Sequence, residues 1–149
     1  MTTEKTEFVY VTFIRTTPER LWTALTDPVL MRQYWFGMHL ETDWMPGSPW
    51  RLQFEDGRTA DAGEVLEADP PRRLVLRWQN EFRPELKAEG PARCTIEIEQ
   101  HGEAVKLTIL HSIDRANSKL IGAVSGGWPK ILSNLKSLLE TGQIVLITH

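Results

Sequence analysis

The 149-residue sequence has a single cysteine, Cys94, and no long apolar run. One thiol cannot form an internal disulfide, and the start of the chain lacks the apolar core of a secretory signal, so we expect a cytoplasmic protein. The longest apolar stretches, such as 144–147, cover only a few residues, whereas a membrane-spanning helix needs roughly 20. We therefore predict that the chain does not enter a membrane.

The sequence also lacks an excess of basic residues. It has 17 Lys and Arg against 20 Asp and Glu, which gives a net charge of -3. Binding to a phosphate backbone depends on concentrated positive charge, so nucleic acid is not expected as a partner. No metal or other cofactor is expected either, because the four histidines show none of the short spacings that build metal sites. They are His39, His101, His111 and His149.

A nucleophile motif is missing as well. Cys94 begins a stretch in which Ile96 and Ile98 share its face, a pattern typical of a small buried thiol. Ser125 lies in a helical pattern and lacks the Gly-x-Ser-x-Gly spacing of a nucleophile elbow. The sequence therefore predicts no catalytic residue.

What the sequence does contain is one long amphipathic segment, from Asn117 to Thr141. Its apolar residues recur at helical spacing: Ile121, Val124, Trp128, Ile131, Leu132, Leu135, Leu138 and Leu139. Burying them at roughly 1.5–3 kcal/mol each supplies on the order of 10–20 kcal/mol, so the helix needs a partner surface. Gly126 and Gly127 disfavour the helix by roughly 1 kcal/mol each, and either close approach to a sheet or a kink that opens a pocket would compensate.

The preceding residues have the patterns of short strands and two short helices. Residues 7–14 form a strand that is apolar on both faces, which places it under cover on both sides or near an edge. Thr17-Pro18 and Asp27-Pro28 are helix starts. Six further strands follow at hairpin spacing, at 38–43, 50–55, 60–68, 73–79, 92–100 and 103–111. The 80–90 segment is a longer loop with room for one helical turn.

Five motifs in this order resemble a known family. They are Thr17–Pro28, Tyr34-Trp35-Phe36, Gly63–Glu67, Asp69–Leu74 and Gly126-Gly127-Trp128. They are similar to bacterial relatives of the C-terminal domain of the activator of heat-shock-protein-90 ATPase, in the START and birch-pollen-allergen (SRPBCC) superfamily. The resemblance implies an α+β helix-grip fold, in which a curved antiparallel sheet wraps around a long C-terminal helix, with one domain over 1–149. Nothing corresponds to the eukaryotic activator's N-terminal chaperone-binding domain, so ATPase activation is not expected.

A helix-grip fold implies a space between sheet and helix, and several apolar residues are placed to line it. The candidates are Trp35, Trp50, Phe54, Trp78, His111, Val124, Trp128 and Leu132. Ordinary core packing is the alternative for each, because one aromatic side chain buries roughly 150–250 Å² without any ligand. A dry cavity of about 300 Å³ would cost near 7 kcal/mol, so we predict a cavity filled by side chains, water or ligand.

Three charged or titratable residues have two interpretations each. Glu64 lies in the Gly63–Glu67 motif and is either an acid of functional interest or one half of a surface charge pair. Arg77 alternates with apolar neighbours and should face solvent, unless it turns inward to bind an anionic head group. His111 is either an acid or base at the cavity mouth or a hydrogen-bonded structural histidine.

The resemblance leaves three functions open. The first is non-enzymatic binding of a small apolar or amphipathic molecule, such as a lipid. The second is a stress-response module that contacts a chaperone or another protein, as a monomer or homodimer, through the sheet or the 143–149 tail, which could also pair as a strand. The third is a cyclase- or hydrolase-like enzyme that uses His111 or Glu64.

Overall fold

In a computed structural model, residues 4–148 are described and contain one seven-stranded antiparallel sheet. Its strands are β1 (Thr6–Ile14), β2 (His39–Glu41), β3 (Pro49–Gln53), β4 (Thr59–Asp69), β5 (Arg73–Asn80), β6 (Ala92–His101) and β7 (Ala104–Ile113). The spatial order is β1-β7-β6-β5-β4-β3-β2. Strands β2 to β7 therefore form a meander, and β1 pairs with the last of them.

Four helices accompany the sheet in the described part of the chain. They are α1 (Pro18–Thr26), α2 (Pro28–Tyr34), α3 (Pro84–Lys87) and α4 (Lys119–Thr141). The first two begin as predicted, because Thr17 accepts a hydrogen bond from the Arg20 N–H and Asp27 accepts one from the Val29 N–H. The single turn of α3 fills the loop at 80–90. The predicted helix-grip architecture is confirmed.

The core lies between one face of the sheet and the helices. Leu74, Leu76 and Trp78 alternate along β5 and are buried, whereas Arg77 between them is exposed. Trp128 and Leu135 of α4 belong to the same buried cluster. Strand periodicity thus sets which side chains face α4.

Strand β1 occupies an edge of the sheet and pairs only with β7. Its alternate residues Val9, Val11 and Phe13 remain 58%, 43% and 44% exposed. Of the two placements predicted for this strand, the edge position is the observed one.

The glycines of α4 do not serve a close approach to the sheet. A Cβ atom at Gly126 or Gly127 would meet no described atom within 4 Å beyond its chain neighbours and the adjacent helix backbone, so that expectation is wrong. Pro129 lies inside the same helix. It has no N–H to donate to the Ser125 carbonyl, and together with the glycines it weakens the helix at 126–129.

The C-terminal tail does not form a strand in residues 143–148, which corrects one of the two expectations for it; His149 lies outside the described residues. The tail is instead held by hydrogen bonds to the carboxamide of the buried Asn134. Its Oδ1 accepts hydrogen bonds from the backbone N–H groups of Val145 (3.0 Å) and Leu146 (2.7 Å). Its Nδ2 donates to the Leu146 carbonyl at 2.8 Å and to the Tyr34 carbonyl at 3.4 Å. One side chain therefore attaches the tail to α4.

Replacement of Asn134 with Leu is expected to release this tail from α4. The substitution conserves side-chain shape but removes the acceptor of both tail N–H groups. Hydrogen exchange at Val145 and Leu146 should accelerate by about tenfold or more, because each lost hydrogen bond is worth about 1 kcal/mol. Ser133→Ala, on the exposed side of the same turn, should leave these rates unchanged. Unchanged exchange in Asn134→Leu would contradict this account of the tail.

A candidate ligand-binding cavity between the sheet and the long helix

A cavity of about 280 Å³ lies between the sheet and the N-terminal half of α4. Aromatic side chains supply much of its wall: Trp35, Phe54, Trp78, Phe82 and Trp128. Aliphatic side chains include Met38, Leu52, Leu86, Leu120, Val124 and Ile131. Phe82, Arg83 and Ala123 are exposed and mark the mouth. Only Asp61, Asn80 and Arg83 bring polar side chains to the described lining.

The tryptophans of the wall form one aromatic cluster around Trp78, together with Trp50, which packs behind it. Its ring centroid lies 6.2 Å from Trp35, 4.7 Å from Trp50 and 5.9 Å from Trp128. Three indole N–H groups are also satisfied: Trp50 donates to the Arg77 carbonyl (2.9 Å), Trp78 to Asp61 (3.0 Å) and Trp128 to His111 (3.1 Å). Because packing and hydrogen bonds both hold these rings, the wall is formed before any ligand arrives.

The α4 wall is anchored at its first turn. The Glu89 carboxylate accepts hydrogen bonds from the Ser118 hydroxyl (2.5 Å) and from the backbone N–H of Lys119 (2.8 Å) and Leu120 (3.3 Å). A carboxylate is favourable there because the helix N-terminus carries partial positive charge and unpaired N–H groups. The helix face that covers the cavity begins directly after this anchor.

Five of the eight predicted cavity residues line this space: Trp35, Phe54, Trp78, Val124 and Trp128. The structure places the other three outside the lining, which corrects the expectation for them. Trp50 is 2% exposed and packs behind Trp78, and Leu132 lies beyond the cavity, where α4 packs in the core. His111 contacts the rings of Trp78 and Trp128 and is fully buried.

His111 has the geometry of a structural histidine. Its Nδ1 accepts the Trp128 indole N–H, which assigns the remaining ring proton to Nε2. No partner for Nε2 is present among residues 4–148. Burial lowers the pKa of His111 to about 4, so the ring is neutral at pH 7. The ring contacts two residues of the cavity lining but is not part of the lining itself.

Asp61 is the acidic residue of the cavity lining, and the sequence analysis missed it. Its Oδ1 accepts hydrogen bonds from Trp78 Nε1 (3.0 Å) and Asn80 Nδ2 (3.4 Å). Burial raises the pKa of this carboxyl to about 6, and the negative charge of Glu81 acts in the same direction. The alternation of side chains along β4 could have identified it. Asp61, Gly63 and Val65 share one face of the strand, and Val65 is completely buried.

Glu64 has the opposite parity and points away from the cavity. It faces Arg77 across the β4–β5 pair, with 3.8 Å between Glu64 Oε2 and Arg77 Nη1. Their side chains are 40% and 51% exposed, and such surface pairs contribute about 0–1 kcal/mol. Of the two interpretations of each residue, the surface pair and the solvent-facing arginine agree with the structure.

Cys94 is buried, as the sequence predicts, and burial raises the pKa of its thiol. No group of three or more His, Cys, Asp or Glu side chains within residues 4–148 is placed to hold a metal ion. None of the helices in that range meets the length and hydropathy required of a membrane span.

The long helix, the seven-stranded antiparallel sheet and the space between them define a START-like helix-grip protein. A family model described as "Activator of Hsp90 ATPase homolog 1-like protein" matches residues 15–140, and the chain belongs to this family. The comparison with curated proteins found no match.

Solved structures with the same fold include three from different organisms. Protein MLL2253 from Mesorhizobium loti has a TM-score of 0.79 at 23% identity, covering 93% of this chain and 100% of that one. The Aha1 dimer from Colwellia psychrerythraea has a TM-score of 0.76 at 17% identity, covering 92% and 98%. PFC0360w, an HSP90 activator from Plasmodium falciparum, has a TM-score of 0.72 at 21% identity, covering 89% and 95%. Likeness at this level of identity shows the fold.

Proposed function

We propose that this protein binds a small apolar or amphipathic molecule in the cavity between the sheet and α4. The observation that carries the proposal is the aromatic wall, which is held in place by packing and hydrogen bonds around a space of about 280 Å³. Ligand pockets typically have about 300–1,000 Å³ and an apolar lining with a few polar groups. This cavity lies just below that range.

The free energy of binding would come from two features of the wall. An apolar ligand removes side chains such as Trp35 and Val124 from water, at about 25 cal/mol per Å² buried. The rings of Trp78 and Trp128 already have fixed orientations, so little ordering opposes binding. The small volume of the cavity favours a compact ligand over a long acyl chain.

Gly127→Leu is expected to abolish ligand binding. Gly127 lines the cavity and a Cβ there meets nothing within 4 Å, so the larger side chain fills the space without strain on the backbone. Native mass spectrometry of freshly purified protein should show a retained small molecule in the wild type and none in the variant. Added apolar compounds should shift the tryptophan emission of the wild type to the blue.

Gly126→Leu is the matched control, because Gly126 precedes it in the same helix and lies outside the cavity lining. Both substitutions should stabilise the helix by about 1 kcal/mol, so only the filled cavity separates them. Equal ligand retention in the two variants, or no retention and no emission shift in the wild type, would overturn the proposed function.

A protein partner is the second candidate function. The Colwellia protein is described as a dimer and the Plasmodium protein as an HSP90 activator. In this chain, the exposed apolar row Val9, Val11 and Phe13 on edge strand β1 favours pairing with a second copy. The same native mass spectra distinguish the two, since a homodimer doubles the protein mass and a ligand adds a few hundred daltons at most.

The two residues named for the enzyme hypothesis, His111 and Glu64, lie outside the cavity lining. His111 is enclosed behind Trp78 and Trp128, and Glu64 lies on the other side of the sheet. We therefore propose no catalysis by either residue.

A further inference from the structure

We propose that the cavity selects ligands that carry a protonated amine, and that the Asp61 carboxylate binds the ammonium group. The proposal rests on the proposed function, because it names the class of molecule that the same cavity takes. Asp61 stands out for its charge, its unused oxygen and its position.

The charge of Asp61 has no partner in the described structure. Arg83, the other charged residue of the lining, is exposed at the mouth and pairs with Glu85 at 2.9 Å. Within residues 4–148, no Lys, Arg or His forms an ion pair with Asp61. The neighbouring Glu81 is another acid, and its own partner is Lys87 at 2.8 Å. The site therefore has unbalanced negative charge.

One oxygen of Asp61 is also free to accept a ligand donor. Trp78 and Asn80 both donate to Oδ1, and Oδ2 has no protein donor in the described part of the chain. A carboxylate in apolar surroundings is disfavoured until a positive charge or further hydrogen bonds compensate it. Burial raises the pKa of Asp61 to about 6, so the carboxylate is still mostly ionised at pH 7. A ligand ammonium supplies both the charge and the donor.

The position of Asp61 allows an amphipathic ligand to bind the carboxylate with its charged end and the apolar lining with its body. Asp61 pairs with Asn80 across the sheet, and Asn80 Oδ1 accepts a hydrogen bond from the backbone N–H of Arg83 at the mouth. An ammonium at Asp61 thus lies on the side of the cavity that leads to the mouth, while the apolar body contacts Trp35 and Trp128.

The alternatives to an amine fit this site less well. A ligand carboxylate would meet a like charge at Asp61, and the cation of the described lining, Arg83, is already paired with Glu85. An alcohol can donate one hydrogen bond to Oδ2 but leaves the charge uncompensated. We expect affinity to fall in the order amine, alcohol, acid, with about a tenfold or larger step between amine and alcohol because a charged hydrogen bond is roughly twice as strong as a neutral one.

The test uses three probes with one apolar body: phenylbutylamine, phenylbutanol and phenylbutyrate. Isothermal titration calorimetry at pH 7.5 gives the dissociation constant of each for the wild type and for Asp61→Asn. The variant keeps an oxygen acceptor for Trp78 and nearly the same volume. It should lose the preference for the amine and retain its affinity for the alcohol within about twofold. Glu64→Gln, which removes an acid from the other face of the same strand, should keep the wild-type order.

The outcomes separate the two proposals. If the wild type binds the amine and the alcohol equally well, or Asp61→Asn keeps the preference, amine selection is wrong while ligand binding stands. If the wild type binds none of the three and retains no molecule in native mass spectra, both proposals are wrong. The wild-type order alone decides the matter if Asp61→Asn does not fold.

Discussion

Gly63→Ala is expected to lower the free energy of unfolding by about 3 kcal/mol or more. A Cβ at Gly63 would lie 1.8 Å from the Arg77 carbonyl oxygen, 2.7 Å from the Arg77 carbonyl carbon and 2.9 Å from Trp50 Nε1. Two of these atoms are backbone of the adjacent strand, so no side-chain rotation relieves the clash. Strands β4 and β5 would have to separate locally.

The same substitution should also disturb the cavity wall. The Trp50 indole passes over Gly63 to donate to the Arg77 carbonyl, and its ring packs 4.7 Å from that of Trp78. Displacing Trp50 would therefore also displace the ring of Trp78, which lines the cavity. We expect weaker ligand binding in addition to the loss of stability.

Urea denaturation followed by circular dichroism measures the change in stability. Gly122→Ala is the matched control, because its Cβ meets open space in a helix and alanine favours helix by about 1 kcal/mol. It should leave stability unchanged or raise it. A Gly63→Ala protein within 1 kcal/mol of the wild type would show that β4 and β5 adjust more easily than their contact implies.

The free energy of unfolding of Asp61→Asn, relative to the wild type, is expected to fall by of order 3 kcal/mol as the pH falls from 6.5 to 4. The wild type has two buried groups with opposite proton linkage. The folded chain excludes a proton from His111 until about pH 4, whereas the unfolded chain binds it near pH 6.5, so this group destabilises the fold as pH falls. Asp61 does the reverse, since its carboxyl takes a proton near pH 6 when folded and near pH 3.8 when unfolded.

The two effects nearly cancel between pH 6 and pH 4. Each changes stability by about 1.4 kcal/mol per pH unit, with opposite sign. Removing the Asp61 carboxyl leaves only the His111 effect, so stability relative to the wild type falls with acid. His111→Gln keeps an acceptor for Trp128 and removes the other effect, so its relative stability should rise as pH falls.

Urea denaturation of the wild type and both variants at several pH values from 4 to 7 tests this balance. Every value is a difference from the wild type at the same pH, so the exposed carboxylates common to all three proteins drop out. Parallel profiles for the wild type and Asp61→Asn would refute the assigned role of Asp61.

Local pattern predicted most of the architecture. Thr17 and Asp27 marked two helix starts, and alternation placed Arg77 outside and Trp78 inside. The predicted strand limits agree with the observed ones to within a few residues. Strand β2 is shorter than the predicted strand at 38–43, because pairing with β3 stops at Glu41. These features depend on neighbours a few residues apart, which is the range that a sequence pattern describes.

Prediction was weaker where remote residues meet. His111 and Trp128 are both apolar-face positions by pattern, yet only Trp128 touches the cavity. Asp61 was overlooked in favour of Glu64, although the parity of β4 separates their faces. Asn134 gave no sign of its role, since its partners include backbone groups that lie beyond the end of α4.

The amino-acid pattern is sufficient for the family, the order of elements and the inward face of each strand, because caps, turns and side-chain alternation act over short distances. Only the tertiary structure decides which inward residues border empty space. Asp61 from β4, Trp78 from β5 and Gly127 from α4 meet there because the sheet and helix pack without filling the gap. That gap depends on the packing of distant side chains, which no local spacing records.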